Sequence, residues 1–325
     1  MIPSTPRSLP LRSLAATAAV GLALTGCSLD EEPEAKAGSL AEDASLDGAS
    51  LTVGSKEFTE QLILCEITAQ ALESAGADVE RSCGLAGSDT THAALTSGEI
   101  DMYWEYTGTT WISYLKHTEP IPDAQKQYDA VAKEDLAEND IEWLDPAQYN
   151  STYAIAVASD VAEDLGVTSL SDYAKLANES PEDASMCVNA EFEVRNDGLP
   201  GLEKKYGFEL PSSSVSSIAM GTIPKAVSES DPCNFGDMTS VDGRIPALDL
   251  TVLEDDKAFF PIYNPAVNVD KDVLADNPDI AKVMNPIAAA LDEQAIQQLN
   301  AEVDIEGLQP EDAAKTWLQE HDFIG

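Results

Sequence analysis

The stretch "SLTVGSKEFTEQLILCEITAQALESAGADVERSCGLAGSDTTHAALTSGEIDMYWEYTGTT", Ser50 to Thr110, decides the fold. "SLTVGS" is short and alternating, which suits a strand. "FTEQLILCEITAQALESAG" places Leu62, Ile63, Ile67, Ala71 and Leu72 at helical spacing and stops at Gly76. "ADVERSCGL" suits a second strand. "SDTTHAALTSG" is a short helix with a Ser/Asp start and Gly98 as its stop, and "EIDMYW" suits a third strand. A β-α-β-α-β order predicts a parallel sheet with helices on both faces. Such sheets bind ligands at the carboxyl ends of their strands. "GSKEFT" and "EYTGTT" both follow such ends, so a binding site is expected there.

The last part of this stretch is also chemically unusual. "DMYWEYTGTTWISYL", Asp101 to Leu115, holds Tyr103, Trp104, Tyr106, Trp111 and Tyr114 in a chain that is only 6% aromatic. A quaternary ammonium has no N–H to donate, so a protein must hold it with ring faces, where cation–π attraction reaches about 2 kcal/mol when desolvated. A carboxylate at the other end of such a ligand needs charged or backbone donors.

Toward the N-terminus, Arg7 and Arg12 precede "LAATAAVGLAL" (Leu14 to Leu24), an apolar run too short to span a bilayer. "LTGC" (Leu24 to Cys27) ends it in the manner of a bacterial lipobox, which implies cleavage before Cys27 and a lipid on its sulfur. Lipid chains supply an anchor without a transmembrane helix. Residues 28–49 are acidic, small and without apolar period, and read as a tether, with order beginning at Ser50. Loss of residues 1–26 removes two of the 18 basic residues and none of the 59 acidic ones, moving the net charge from −41 to −43. That charge repels phosphate backbones and argues against a nucleic-acid partner.

Toward the C-terminus, "DAQKQYDAVAKEDLAEN" is helical after Asp123. "STYAIAVAS" (Ser151 to Ser159) is a strand and a crossing into a second domain. "SLSDYAKLAN", "GLPGLEKKYG" and "TIPKAVSES" read as helices, "ASMCVNAEF" as strand then loop, and "CNFGDMTS" as a strand. "LDLTVLEDD" carries the chain back, and Asp279 to Phe323 is mostly helical. Export permits disulfides. The four cysteines after Cys27 allow three pairings; Cys65–Cys83 and Cys187–Cys233 keep each pair within one domain. His92, His117 and His321 lack metal-ligand spacing, no CxxC occurs, and there is no P-loop, GxGxxG or G-x-S-x-G. Nothing asks for an enzyme, a cofactor or a metal.

"VGSKEFTEQLIL", "ALTSGEIDMYWEYTGT", "STYAIAV", "EFEVRNDGLPGL", "DGRI" and "FFPIYNPAVNV" occur in this order. From about Ser50 to the C-terminus they resemble the substrate-binding lipoproteins of osmoprotectant ABC transporters, the glycine betaine/carnitine/choline group. The resemblance implies an α/β, two-lobed, periplasmic-binding-protein-like fold of type II. Two crossing segments would join lobe one (50–150 plus 255–325) to lobe two (151–254), behind a signal peptide (1–26) and an acidic tether (27–49). The protein would lie outside the cytoplasmic membrane and deliver its solute to an ABC permease. The matching motifs imply that Lys56, Thr109 and Arg195 bind the solute's carboxylate, with Arg195 reaching it on closure. Tyr106, Tyr153 and Tyr263 would form the walls of an aromatic box. The pattern breaks at "MTSVDGR", where some members carry a further tyrosine and this chain has Met238, Thr239 and Ser240; Phe192 is the candidate replacement. Trp104, Trp111 and Tyr114 are expected in cores or lobe packing, Tyr103 in a core or on the surface, and Glu105 beside the box or facing water. The same fold could bind choline, carnitine or an amino acid. An enzyme on this fold would need a nucleophile or acid/base pair in the cleft. A structural lipoprotein should show repeats or a flat aromatic patch.

Overall fold

The computed structural model describes residues 38–40 and 44–325. The signal peptide, Cys27 and the first part of the tether lie outside the described residues.

Two five-stranded sheets are built from different parts of the chain. The first has the order β2-β1-β3-β10-β4 and the second β7-β6-β8-β5-β9. In the first, β1 (Ser50–Lys56) is followed by α1 (Thr59–Ser74), β2 (Asp78–Leu85), α2 (Gly87–Thr96) and β3 (Met102–Tyr106). β1 runs parallel to both β2 and β3, as the β-α-β-α-β reading expects. α3 (Ala124–Asn139), whose N-terminal amide at Lys126 is capped by the Asp123 carboxylate, leads to β4 (Ile141–Trp143). The second sheet takes β5 (Tyr153–Ala158), β6 (Met186–Val188), β7 (Val215–Ser217), β8 (Phe235–Thr239) and β9 (Leu250–Val252). The chain then returns to the first sheet as β10 (Pro265–Asp270). In each sheet the strand that follows a crossing, β5 or β10, lies antiparallel between two others. That placement locks each sheet to a segment supplied through the other, and it is why two crossings join the lobes.

The crossings run side by side. Ser151 N–H donates to the Tyr263 carbonyl at 3.1 Å, the Thr152 hydroxyl to Pro261 O at 3.1 Å, and Tyr263 N–H to Asn150 Oδ1 at 2.7 Å. Before returning, the chain packs Phe259 and Phe260 against the second lobe's core.

α1 is buried on nearly every side, between the sheet and the C-terminal helices Asp279–Ala290, α6 (Glu293–Asp304) and Pro310–Glu320. Trp104 lies in this core, while Tyr103 and Trp111 lie in the core on the sheet's other face. Met102, Tyr103 and Trp104 have no solvent face because β3 is central and covered on both sides. Each lobe carries one disulfide: Cys65–Cys83 ties α1 to β2 with Cα atoms 6.2 Å apart, and Cys187–Cys233 ties β6 to the start of β8 at 5.6 Å.

Two sequence expectations are corrected. Residues 38–40 and 44–49 are not free tether: Leu40, Ala44 and Leu46 are buried in the first core, and Leu46 N–H donates to Ala75 O at 2.7 Å. These apolar side chains are the exceptions in an acidic segment, and they fill the space beside the end of α1. The "NAEF" loop is a short helix, α4 (Ala190–Val194), started by Asn189, whose Oδ1 accepts from Glu191 and Phe192 N–H. It precedes α5 (Leu199–Tyr206). β10, a segment for which no element was expected, lies as a strand between β3 and β4.

Candidate functional site

A cavity of about 590 Å³ lies between the two sheets. Lys56, Tyr106, Thr109, Tyr153, Arg195 and Tyr263 all line it, so one space collects residues spread over more than 200 positions of sequence. Lys56 ends β1, Tyr106 ends β3, and Tyr153 opens β5; strand ends thus deliver three of the six. Thr109 follows β3 in a helical turn, Thr107–Thr109, that runs into a π-helical turn at Thr110–Tyr114. Its side chain caps no helix. Gly108 explains the glycine in this turn: a Cβ there would stand 2.7 Å from the Tyr263 ring, so only glycine lets that ring lie against the backbone.

The basic groups are already engaged. Lys56 Nζ donates to Glu105 Oε1 at 2.7 Å, both side chains being almost fully buried, and stands 5.1 Å from the Tyr106 ring centre. Glu105 also accepts from the hydroxyls of Tyr103 (2.8 Å) and Tyr114 (3.0 Å) and from Tyr106 N–H (2.7 Å). It therefore does not face water; it is the buried counter-ion of Lys56. Arg195 forms a two-pronged pair with Asp197, Nε to Oδ1 at 2.8 Å and Nη2 to Oδ2 at 2.6 Å, and its guanidinium lies 5.9 Å over the Tyr153 ring. The Tyr263 hydroxyl donates to the same Asp197 carboxylate.

Glu60 forms a third buried centre. Its carboxylate accepts from Tyr106 (2.8 Å), Tyr149 (3.0 Å) and Ser151 (2.8 Å). Burial pushes the Glu60 carboxyl above its usual range, against the pull of those three donors and of Lys56. Burial likewise raises the Tyr106, Tyr153 and Tyr263 phenols far out of the physiological range, so all three rings are neutral.

The rings divide into two groups. Phe58 and Tyr106 belong to the first lobe, with centres 6.3 Å apart. Tyr153 meets Tyr263 edge-on at 5.6 Å and Phe192 at 5.1 Å. Phe192 is fully buried behind Tyr153 and does not line the cavity, so it does not supply the ring absent from "MTSVDGR". At the "MTSVDGR" departure Met238 points into the core, while Thr239 lines the cavity.

Both rims of the cleft carry contacts between lobes. On one, Arg244, paired with Asp242 at 2.6 Å, reaches Asp304 of α6 at 3.4 Å. A Cβ on Gly243 would stand 2.6 Å from Ala301 N, so the "DGR" turn presses on α6 without intervening side chain. On the other rim, Glu191 of α4 meets Ser88 of α2. Sequence reading misses Glu60, Glu191, Asp197 and Asp304 as functional groups. Among 59 acidic residues only proximity to Arg195, four positions after Glu191 and two before Asp197, could have singled out two of them.

His92 stacks on Tyr114, His117 on Trp111 and His321 on Phe323. Among the described residues no group of three His, Cys, Asp or Glu side chains could hold a metal ion, and no helix is long and apolar enough to cross a membrane.

Residues 49–320 match the family model of the substrate-binding domain of ABC-type glycine betaine transport systems. The glycine-betaine-binding protein of Pseudomonas aeruginosa is 38% identical over 85% of this chain and 89% of its own length. The glycine betaine-binding protein YehZ of Escherichia coli is 37% identical over 82% of this chain and 89% of its own. A solved structure of a glycine betaine/carnitine/choline ABC transporter protein superposes with a TM-score of 0.68, at 26% identity, over 84% of this chain and 99% of that one. The chain belongs to this family of transport binding proteins, with its type II two-lobed fold; the family is extracytoplasmic and is not a class of enzymes.

Proposed function

We propose that this member of the betaine-transport family captures glycine betaine or a close relative between its lobes and hands it to an ABC permease. The observation that supports this most is the meeting of Tyr106, Tyr153 and Tyr263, from three separate segments, with Lys56, Thr109 and Arg195 in one cavity. Neutral ring faces hold a trimethylammonium group, while Lys56, Thr109 and Arg195 hold the carboxylate. Glu60, behind Tyr106, adds negative charge on the cation's side. Lobe one is residues 50–150 plus 255–325, with residues 38–40 and 44–49 packed on its core, and lobe two is 151–254. They hinge about the paired crossings, and closure brings Arg195 to the solute, which couples binding to lobe movement. A lipid on Cys27 would hold the protein at the membrane's outer face; Cys27→Ser should move it from the membrane fraction to the soluble one.

A second reading, a carboxylate-free cation such as choline, has one observation in its favour: Lys56 and Arg195 already own carboxylate partners. Calorimetric titration of residues 38–325 with glycine betaine, proline betaine, carnitine, choline and proline separates the two. Saturable betaine binding that weakens by about thirtyfold in Tyr153→Leu supports the aromatic box. Choline binding without betaine binding removes the carboxylate role of Lys56 and Arg195. Binding of no quaternary amine sinks the assignment.

A further inference from the structure

The Glu191 carboxylate already occupies the surroundings that the proposed reading reserves for the solute's carboxylate. It stands on α4, one turn before Arg195, and reaches across the cleft. Its Oε1 accepts Ser88 N–H in the first turn of α2. Its Oε2 accepts the Ser88 hydroxyl at 3.0 Å and faces Arg195 Nη1 at 3.4 Å. Burial works to raise the Glu191 carboxyl, but the charge of Lys56, the Ser88 donors and Arg195 outweigh it and hold it below its usual range. Gly87 leaves room for the group: its φ is +78° and a Cβ there would stand 3.0 Å from Glu191 Oε1. Lys56 and Arg195, the two cations meant for the solute, both act on this internal carboxylate.

We propose that Glu191 is a built-in competitor for the carboxylate of a zwitterionic solute, and that it thereby sets the choice between betaines and carboxylate-free quaternary cations. The proposal rests on the reading of the cavity as a quaternary-ammonium site. A carboxylate-free cation enters among the rings and leaves the Glu191 bonds to Ser88 and Arg195 intact, with an added negative charge nearby. A betaine must either displace Glu191 from Arg195 and Ser88 or set a second carboxylate against it, and like charges at that range repel. The same bonds join α4 of one lobe to α2 of the other. Glu191 therefore also draws the lobes together in the absence of solute, so that a betaine opens one bridge as it makes its own.

Two variants test this. Glu191→Gln keeps the shape and an acceptor for Ser88 but removes the charge; Glu191→Ala removes both. Glycine betaine and choline are titrated calorimetrically into the wild type and each variant, and small-angle scattering records the solute-free radius of gyration. The expected result is that glycine betaine gains at least about tenfold in affinity relative to choline in both variants, the worth of one charged hydrogen bond no longer contested. Solute-free Glu191→Ala should also be more open than the wild type. Equal weakening of both solutes would reduce Glu191 to a plain clamp and overturn the proposal. Selective weakening of glycine betaine would overturn it too, by showing that Glu191 orients Arg195 for the solute. A wild type that binds neither solute fails earlier, on the reading of the cavity itself, and takes the proposal with it.

Discussion

The two walls of the cavity are wired differently. On the first lobe, the ion pair and the Glu60 centre join residues distant in sequence: Lys56 and Glu105 are 49 positions apart and Glu60 and Tyr106 46, while Glu105 also takes nearby donors from Tyr103 and Tyr106. All of these groups are buried. On the second lobe the bonds of Arg195 itself are local, to Asp197 two positions on and Glu191 four positions back, and the longer-range contacts there are those that Tyr263 makes to Asp197, Ser88 to Glu191 and Asn189 to Asp237. A wall wired through the core is set before any solute arrives. A wall wired within a few residues of itself travels as a unit, which is what a closing lobe requires. Under the proposed reading, the difference would make the first side of the cleft the preorganised one and the Arg195 side the one that moves.

Removing one carboxylate from each wall should expose this difference. Glu105→Ala leaves the Lys56 ammonium buried without its counter-ion and strands two further donors, the Tyr103 hydroxyl and Tyr106 N–H, while the Tyr114 hydroxyl keeps the Ser88 carbonyl. A loss of about 3–5 kcal/mol in unfolding free energy is expected. Asp197→Ala strands Arg195 and the Tyr263 hydroxyl, but Arg195 borders the cavity and can turn toward water, so the expected loss is about 1–3 kcal/mol. Denaturant titrations of both variants check the ranking. Equal losses would mean that the two walls are equally fixed and would remove the argument for a moving side.

The smallest effect concerns Asp237 of β8, which links the moving wall to its lobe. Its carboxylate is fully buried and accepts from Asn189 N–H at 2.8 Å and from the Asn189 side-chain amide. Burial pushes it up to about 7, against those two bonds. A carboxyl raised in the folded state binds a proton that the unfolded chain releases. Stability from this group is therefore lost as pH rises from about 4 to about 7 and stays lost above that. In thermal or denaturant unfolding the wild type should lose about 1–2 kcal/mol relative to Asp237→Asn as pH is taken from 6 to 8. A pH-independent difference would mean that Asp237 keeps an ordinary value and that Asn189 is held by a permanent anion.

Much of the fold was legible because local patterns and tertiary order agree in it. The β-α-β-α-β run of the first lobe, the Asp123 cap and the long C-terminal helices follow from spacing and stop residues alone. β4, β7 and β10 were not legible: each is short or lacks a clean period, and each becomes a strand by pairing with neighbours already in place. The buried Leu40, Ala44 and Leu46 were missed because an acidic composition outweighed three apolar side chains in a segment without period.

Reading the residues alone was enough to place aromatic and basic groups in motifs at strand ends, because the ends of parallel strands open onto a cleft. Only the tertiary structure decided what those groups do before a solute comes. Lys56 bonds to Glu105, Arg195 to Asp197 and Glu191, and Tyr106 to Glu60, and no spacing rule selects these acids from 59. The reason is physical. A charge's partner is fixed by distance and burial in the folded chain, which sequence separation does not encode.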